Sequence, residues 1–277
     1  MNRRQRPVTT VLASIAALLS LVVVLFPLYA VIIASFQTNE QLIGARFNFW
    51  PPDPTLDNYR EVIDVQGGHV LSTLLIAVGT ALLTLAISLP AAHLLARYRF
   101  RVTAIIVGGL LVAQILPSIV IANSLFLLYH RLDLLNTYPG LILADASYAV
   151  PFAILVVRAF MLGLPADVLQ AAEVDGAGEW RTFTSIVLPM SRSAIITVAV
   201  FAFLNGWGDF IFALTLLPGS SEMAPITLSI HNYFGQFEQN LGAAMALAVM
   251  GLLPAAMLLI AAQRYIAAGL TLGSVKG

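Results

Sequence analysis

No cysteine occurs in the 277 residues, which excludes a disulfide framework and a thiolate-ligated metal site. Lysine occurs once, as Lys276, against thirteen arginines. Charge of either sign is scarce: Lys, Arg, Asp and Glu make up 10% of the chain, where a soluble domain carries about 25%. With 59% hydrophobic residues and a mean hydropathy of +0.89, the chain cannot cover a globular surface with solvated groups. Its solvent is lipid, which disfavours a soluble enzyme, a nucleic-acid binder or a disordered scaffold. Fourteen basic residues balance fourteen acidic ones, so where the charges fall says more than their sum.

A bilayer core of about 30 Å needs roughly 20 mostly apolar residues per helix. Six stretches meet that requirement, at about 11–35, 70–96, 103–129, 140–161, 193–217 and 241–265. The expectation is an all-α membrane protein with six transmembrane helices, one domain over residues 1–277, because no Gly/Ser linker, low-complexity tract or repeat divides it. Pro27, Pro90, Pro117, Pro151 and Pro254 fall within or near the spans, where neighbouring helices can satisfy the freed carbonyls. Pro117 or Pro151 either kinks its helix or shapes a translocation path. Counting alternate loops places Arg3, Arg4, Arg6, Arg97, Arg99, Arg101, Arg158, Arg181, Arg192, Arg264 and Lys276 on one side, and Arg46, Arg60 and Arg131 on the other. The side richer in arginine is cytoplasmic by the positive-inside rule, and it holds both termini. The first apolar run, at 25 residues, is too long for a signal h-region and reads as a retained helix.

Residues 164–189 are too polar to span. Pro165 suits a first helical turn, Asp167 complements the helix dipole, and Val168, Ala171, Ala172 and Asp175 recur at helical spacing. Asp175-Gly176-Ala177-Gly178 supplies a turn, because glycine tolerates positive φ. A second short helix over about 179–187 puts Trp180, Phe183 and Ile186 or Val187 on one side, and Pro189 stops it. The product is a compact helix-turn-helix at the membrane surface, with an apolar ridge and an acidic flank, shaped to enter a groove on a cytoplasmic partner.

Gln170-Ala171-Ala172-x-x-Asp175-Gly176-Ala177, followed by Phe183, Ile186, Leu188 and Pro189, resembles the EAA loop of ABC-importer permeases. The whole chain is similar to their carbohydrate-type, MalG-like branch. The likeness extends to Pro54-Thr55-Leu56-Asp57-Asn58-Tyr59, to Leu135-Asn136-Thr137-Tyr138-x-Gly140-Leu141-Ile142-Leu143, and to Gln263-Arg264-x-Ile266 with Gly269-Leu270-Thr271-x-Gly273-x-Val275-Lys276-Gly277. This resemblance implies a type I ABC importer permease fold in the bacterial plasma membrane, with cytoplasmic coupling helices. It implies that Gln170, Ala171, Ala172, Asp175, Gly176, Ala177, Phe183 and Pro189 meet a cleft of a dimeric nucleotide-binding ATPase. Gly269, Thr271, Gly273 and Lys276 then belong to a tail that touches that ATPase. A second homologous permease and an extracytoplasmic substrate-binding protein complete the partners, with ATP and Mg on the ATPase. Where the motif begins with Glu, this chain has Gln170, which offers a hydrogen bond but no charge; either the contact has weaker electrostatics or Glu173 compensates.

Nothing in the chain cradles phosphate. Gly-x-x-x-x-Gly-Lys-[Ser/Thr] is absent, and the single lysine at 276 cannot supply it. ATP hydrolysis therefore belongs to a separate chain, and no catalytic residue, metal site or cofactor is expected in this one. The four histidines, His69, His93, His130 and His231, are scattered, and His93 reads as an interfacial side chain.

Polar residues at bilayer depth are costly and face the bundle interior or a cavity. Asn205-Gly206-Trp207-Gly208-Asp209-Phe210 lies near the middle of the fifth span. Hydrogen-bonding groups beside flat aromatic faces suit a sugar, so Asn205, Trp207, Asp209 and Phe210 are substrate-path candidates; helix packing is the competing role. Gln114, Ser118 and Asn123 in the third span, with Asp145 and Tyr148 in the fourth, are further candidates. The aromatics at 232–237 meet a binding protein or form an interfacial belt. An importer of a glycerophosphodiester, a compatible solute or an amino acid fits the same residues. An ion-driven carrier would use Asp145 and Asp209 as coupling acids and need no ATPase, whereas a non-transporting scaffold would leave 205–209 without a role.

Overall fold

The computed structural model describes residues 7–44, 48–98, 102–219, 222–233 and 240–271; the side chains of 7–10, 232 and 266–271 lie outside that description. Every element among the described residues is helical. The order is α1 (Pro7–Ser35), α2 (Asn39–Ile43), α3 (Asp57–Arg97), α4 (Thr103–Ala113), α5 (Ser118–Arg131), α6 (Tyr138–Met161), α7 (Ala166–Val174), α8 (Glu179–Thr182), a π-helical turn (Phe183–Val187), α9 (Leu188–Met190), α10 (Arg192–Trp207), α11 (Ile211–Leu216), α12 (Ile226–Ser229), a 3-10 turn (Ile230–Tyr233) and α13 (Leu241–Thr271). Among the described residues, four helices are long and apolar enough to cross a bilayer singly, and six spans result if each of two bent pairs is counted as one.

Two expected spans are corrected, the third and the fifth. The second span is the later part of a 41-residue helix, about 60 Å long at 1.5 Å per residue. Its start, with Asp57, Arg60, Glu61 and Asp64, is too polar for lipid. The third span is not one helix: α4 and α5 meet at 99°, because Pro117 takes extended backbone (φ −61°, ψ 134°) just before α5. The fifth span ends early, since α10 stops at Trp207 and resumes as α11 after Gly208-Asp209-Phe210.

Two compact units emerge, Met1–Gly67 with Ile230–Leu252, and Gly68–Ser229 with Leu253–Gly277. In the first, buried Asn58 donates through Nδ2 to the Ser35 and Gln37 carbonyls at 2.9 and 2.8 Å. Asn240 donates to both oxygens of Glu61 at 3.1 and 2.9 Å. Thr38 and Gln41 form a reciprocal capping box at the start of α2. The Asn58 bonds and the capping box give an irregular segment the backbone partners that a helix would otherwise supply.

In the second unit α6 is central, packed by α4, α5, α10 and α11. Ala144, Ala146, Ala149 and Ala153, set around more than one side of α6, are all buried. Lipid tails are as apolar as leucine, so helices associate through close packing of small residues. Leucines and isoleucines such as Ile105, Ile115 and Leu127 point outward instead.

The start of α6 shows how the motif 135–143 folds. Asn136 adopts φ 55°, a left-handed conformation that asparagine tolerates. Thr137 then caps the helix by accepting from the Gly140 N–H at 3.1 Å. A Cβ on Gly140 would lie 2.2 Å from the Leu134 carbonyl oxygen, so only glycine fits there.

Candidate functional site

The hairpin over 164–189 forms from its sequence by identifiable local rules. α7 ends at Asp175 as a Schellman motif: the Ala177 N–H reaches the Ala172 carbonyl at 2.9 Å, and the Gly176 N–H reaches the Glu173 carbonyl at 3.0 Å. Gly176 takes φ +74°, which an L side chain resists. Ala172 is buried and Ala177 half-buried, matching the small apolar contact that accompanies this cap. The spacing Ala172-x-x-x-Gly176-Ala177 is thus the signature of one helix ending.

The arm after the turn departs from expectation. Pro189 does not end the helix, because residues Glu179–Met190 stay helical through a π-turn, with the Leu188 N–H reaching the Phe183 carbonyl. Pro189 has no N–H to donate, so a regular ladder cannot pass through this turn. The chain bends instead at buried Ser191, by 78° into α10. Phe183 and Val187 are buried, whereas Trp180 is 74% exposed, its ring 5.7 Å from Phe183. Val174 is 87% exposed. Gln170, Ala171, Asp175, Gly176 and Pro189 are exposed as well, so Val174 and Trp180, with Val168 at 38% exposure on α7, stand as large apolar side chains among the small and polar residues of the hairpin surface.

One reading of a single side chain changes and a second is sharpened. His93 is buried and packs against Phe183, 4.8 Å between ring centroids with the planes tilted by 36°, so it is not an interfacial residue. Glu173 pairs with Arg97 at the end of α3, so any charge it offers in place of one at Gln170 comes from a carboxylate already shared with that arginine. Arg97 also reaches Glu179, on the other arm, at 3.2 Å. The sequence marks Arg97 only as one of the basic residues on the arginine-rich side; the signal of a shared role is its i, i+4 spacing from His93.

The break between α10 and α11 gathers most of the path candidates. Asn205 is half-buried and donates to the Asp145 carbonyl at 3.4 Å. Trp207 is buried and stacks on Phe203, 5.6 Å between centroids and 13° between planes. Asp209 accepts the Phe212 and Ala213 N–H groups at 3.1 and 2.8 Å, capping α11 with its side chain. Its carbonyl accepts the Thr227 hydroxyl. Phe210 is half-buried. Asp145 is fully buried in α6, and neither carboxylate oxygen has a hydrogen-bond partner among the described residues. Gln114, at the end of α4, and Asn123, in α5, are exposed. Ser118 and Tyr148 are half-buried. Gly269 and Thr271 fall in α13 without described side chains, while Gly273, Lys276 and the segment 234–239 lie outside the described residues.

Residues 84–272 match the family described as binding-protein-dependent transport system inner membrane component. The trehalose transport system permease protein SugB of Mycobacterium tuberculosis (strain CDC 1551 / Oshkosh) is 32% identical over 232 residues, covering 82% of this chain and 84% of that protein. The arabinooligosaccharides transport system permease protein AraQ of Halalkalibacterium halodurans is 30% identical over 282 residues, covering 100% of both. A chain in the crystal structure of a bacterial ABC transporter involved in the import of the acidic polysaccharide alginate matches with a TM-score of 0.80 and 17% identity, covering 96% of this chain and 99% of that one. That last likeness is one of fold.

Proposed function

Because the chain belongs to the family of binding-protein-dependent transport system inner membrane components, we propose that it forms half of a translocation pathway for a sugar or sugar-like solute, driven by a separate ATPase through the hairpin 164–189. As a permease subunit of an ABC importer it is a non-catalytic membrane component, and family membership displaces the ion-driven carrier and the scaffold. ATP and Mg bind the partner ATPase dimer, and a binding protein delivers the solute on the opposite face. Both termini and the hairpin are cytoplasmic, a reading supported by the eleven basic residues on that side.

One observation carries the coupling role: the exposed Val174 and Trp180 crown a turn whose backbone is closed by its own cap. Exposed large apolar groups on a rigid turn suit a groove on another protein. Around them Gln170, Ala171, Asp175 and Gly176 form the rim, while Ala172 and Phe183 anchor the hairpin from within. Gly269, Thr271, Gly273 and Lys276 add a second contact with the ATPase. Exposed Gln114 and Asn123 sit among apolar neighbours, where bare lipid is unfavourable; they face the second permease or the pathway. Along that pathway Asn205 and Phe210 are the solute-facing groups, supported from behind by Trp207 and Asp209. The sugar class is supported by the names of SugB and AraQ.

Purification of the tagged chain from native membranes brings a stoichiometric nucleotide-binding subunit with it, and the ligand of the co-purifying binding protein is a carbohydrate. With Gly176→Trp the complex assembles and hydrolyses ATP, but uptake falls about tenfold or more. Undiminished uptake in that variant removes the hairpin from the coupling path.

A further inference from the structure

The last turn of α3 carries His93 and Arg97, four residues apart and therefore on one face. Both turn toward the hairpin. Arg97, one-fifth exposed, pairs through Nη2 with Glu173 Oε1. It also donates from Nη2 and Nε to Glu179 Oε1 at 3.2 and 3.4 Å. Glu173 stands in the last turn of α7, and Glu179 is the first residue of α8. One guanidinium thus closes the base of the 175–178 turn from both sides, across 76 and 82 residues of sequence. His93 adds the ring contact with Phe183, and its Nε2 lies 4.0 Å from Glu179. Two residues before Arg97, the Leu95 carbonyl accepts Arg158 Nε at 3.1 Å, which ties the end of α6 to the same place.

We propose that Arg97 is a positioning residue for coupling: it holds the two hairpin arms at a set angle and joins them to α3, so that a displacement of the hairpin reaches the second span undiminished. The proposal rests on the hairpin being the ATPase contact. Glu173 and Glu179 are about half exposed, and ion pairs of that kind add little to stability. The role is therefore geometric. Two carboxylates share one cation, so removing it leaves the arms repelling each other across a turn that contains Gly176 and Gly178. A planar guanidinium presents several N–H donors in a fixed fork and can hold two acids at once, which a lysine ammonium does with less directional control. Its place at the C-terminal end of α3 also complements that helix's dipole.

The test uses the assembled importer, permease pair with ATPase dimer and binding protein, in lipid nanodiscs. The native chain has no cysteine, so Leu94→Cys and Ser185→Cys place two nitroxides at exposed positions outside the crown without removing any thiol. With Arg97 present, the distance between them is the same in the nucleotide-free state and with ATP, Mg and vanadate trapped. In Arg97→Gln it broadens and shifts with nucleotide, and stimulation of ATP hydrolysis by the binding protein falls about tenfold. Arg97→Glu is worse on both measures, and adding Glu179→Arg to it returns both to within about threefold of wild type. An Arg97→Gln complex with wild-type distances and stimulation overturns the proposal. So does a double variant that assembles but stays as impaired as Arg97→Glu, or an Arg97→Gln chain that fails to assemble, since a positional role leaves assembly intact. If Gly176→Trp remains coupled, the hairpin reading falls and takes the proposal with it. If Gly176→Trp uncouples while Arg97→Gln is silent, the clamp alone fails.

Discussion

Asp-Gly at 175–176 and Gly-Asp at 208–209 both interrupt helices, and the two interruptions solve opposite problems. In the hairpin, main chain satisfies main chain through the Schellman cap, and Gly176 absorbs the left-handed turn. The Asp175 side chain is left exposed. In the bundle, α11 begins where water is scarce, and its free N–H groups take the Asp209 carboxylate. Gly208, at φ −94°, needs no special freedom. A polar side chain beside water stays available to a partner, whereas one inside the bundle is spent on the backbone.

That contrast can be broken at its stronger side first. Asp209→Ala leaves two N–H groups of α11 without an acceptor and should cost about 2–3 kcal/mol, read as a lowered unfolding temperature in detergent and reduced membrane yield. Asp209→Asn keeps one acceptor and should recover part of that loss. Gly176→Ala forces a Cβ into the left-handed region and should cost about 1–2 kcal/mol, confined to hairpin protection in hydrogen exchange while the bundle amides keep theirs. Trp180→Ser should leave stability within about 0.5 kcal/mol yet reduce co-purification of the ATPase, which separates a docking side chain from a structural one. Asp175→Ala should change least, within about 0.5 kcal/mol, by the same thermal measurement. If Asp175→Ala destabilises as much as Asp209→Ala, the two turns do not differ in the way described.

Much of the hairpin was legible in the sequence because its rules are local. Ala172, Gly176 and Ala177 lie within six residues, and Pro165 marks the start of α7. The π-turn was not legible, since Pro189 signals a break without saying whether the helix stops or is rewound. Pro117 likewise marked a discontinuity in the third span but not a 99° bend, which depends on what packs against either half. The Arg97 cluster escaped entirely: its partners are far apart in sequence, and only the return of the chain past the end of α3 brings them together. Asp209 was visible as a costly charge at bilayer depth. Its use as a helix cap could not be foreseen, because α11 itself arises from a break placed differently from the one expected.

The crown formed by Val174 and Trp180 has a practical consequence. With Gln170 neutral and with Glu173 and Glu179 neutralised in part by Arg97, the outward charge of the hairpin rests mainly on Asp167, Asp175 and Arg181. Attraction across such a surface owes little to Coulomb forces and is screened only slightly by added salt, while excluded salts such as sulfate strengthen apolar contact. On the proposed hairpin contact, the ATPase should therefore stay attached through high-salt washes that strip proteins held by charge, and come away when a chaotrope or a harsher detergent wets the crown.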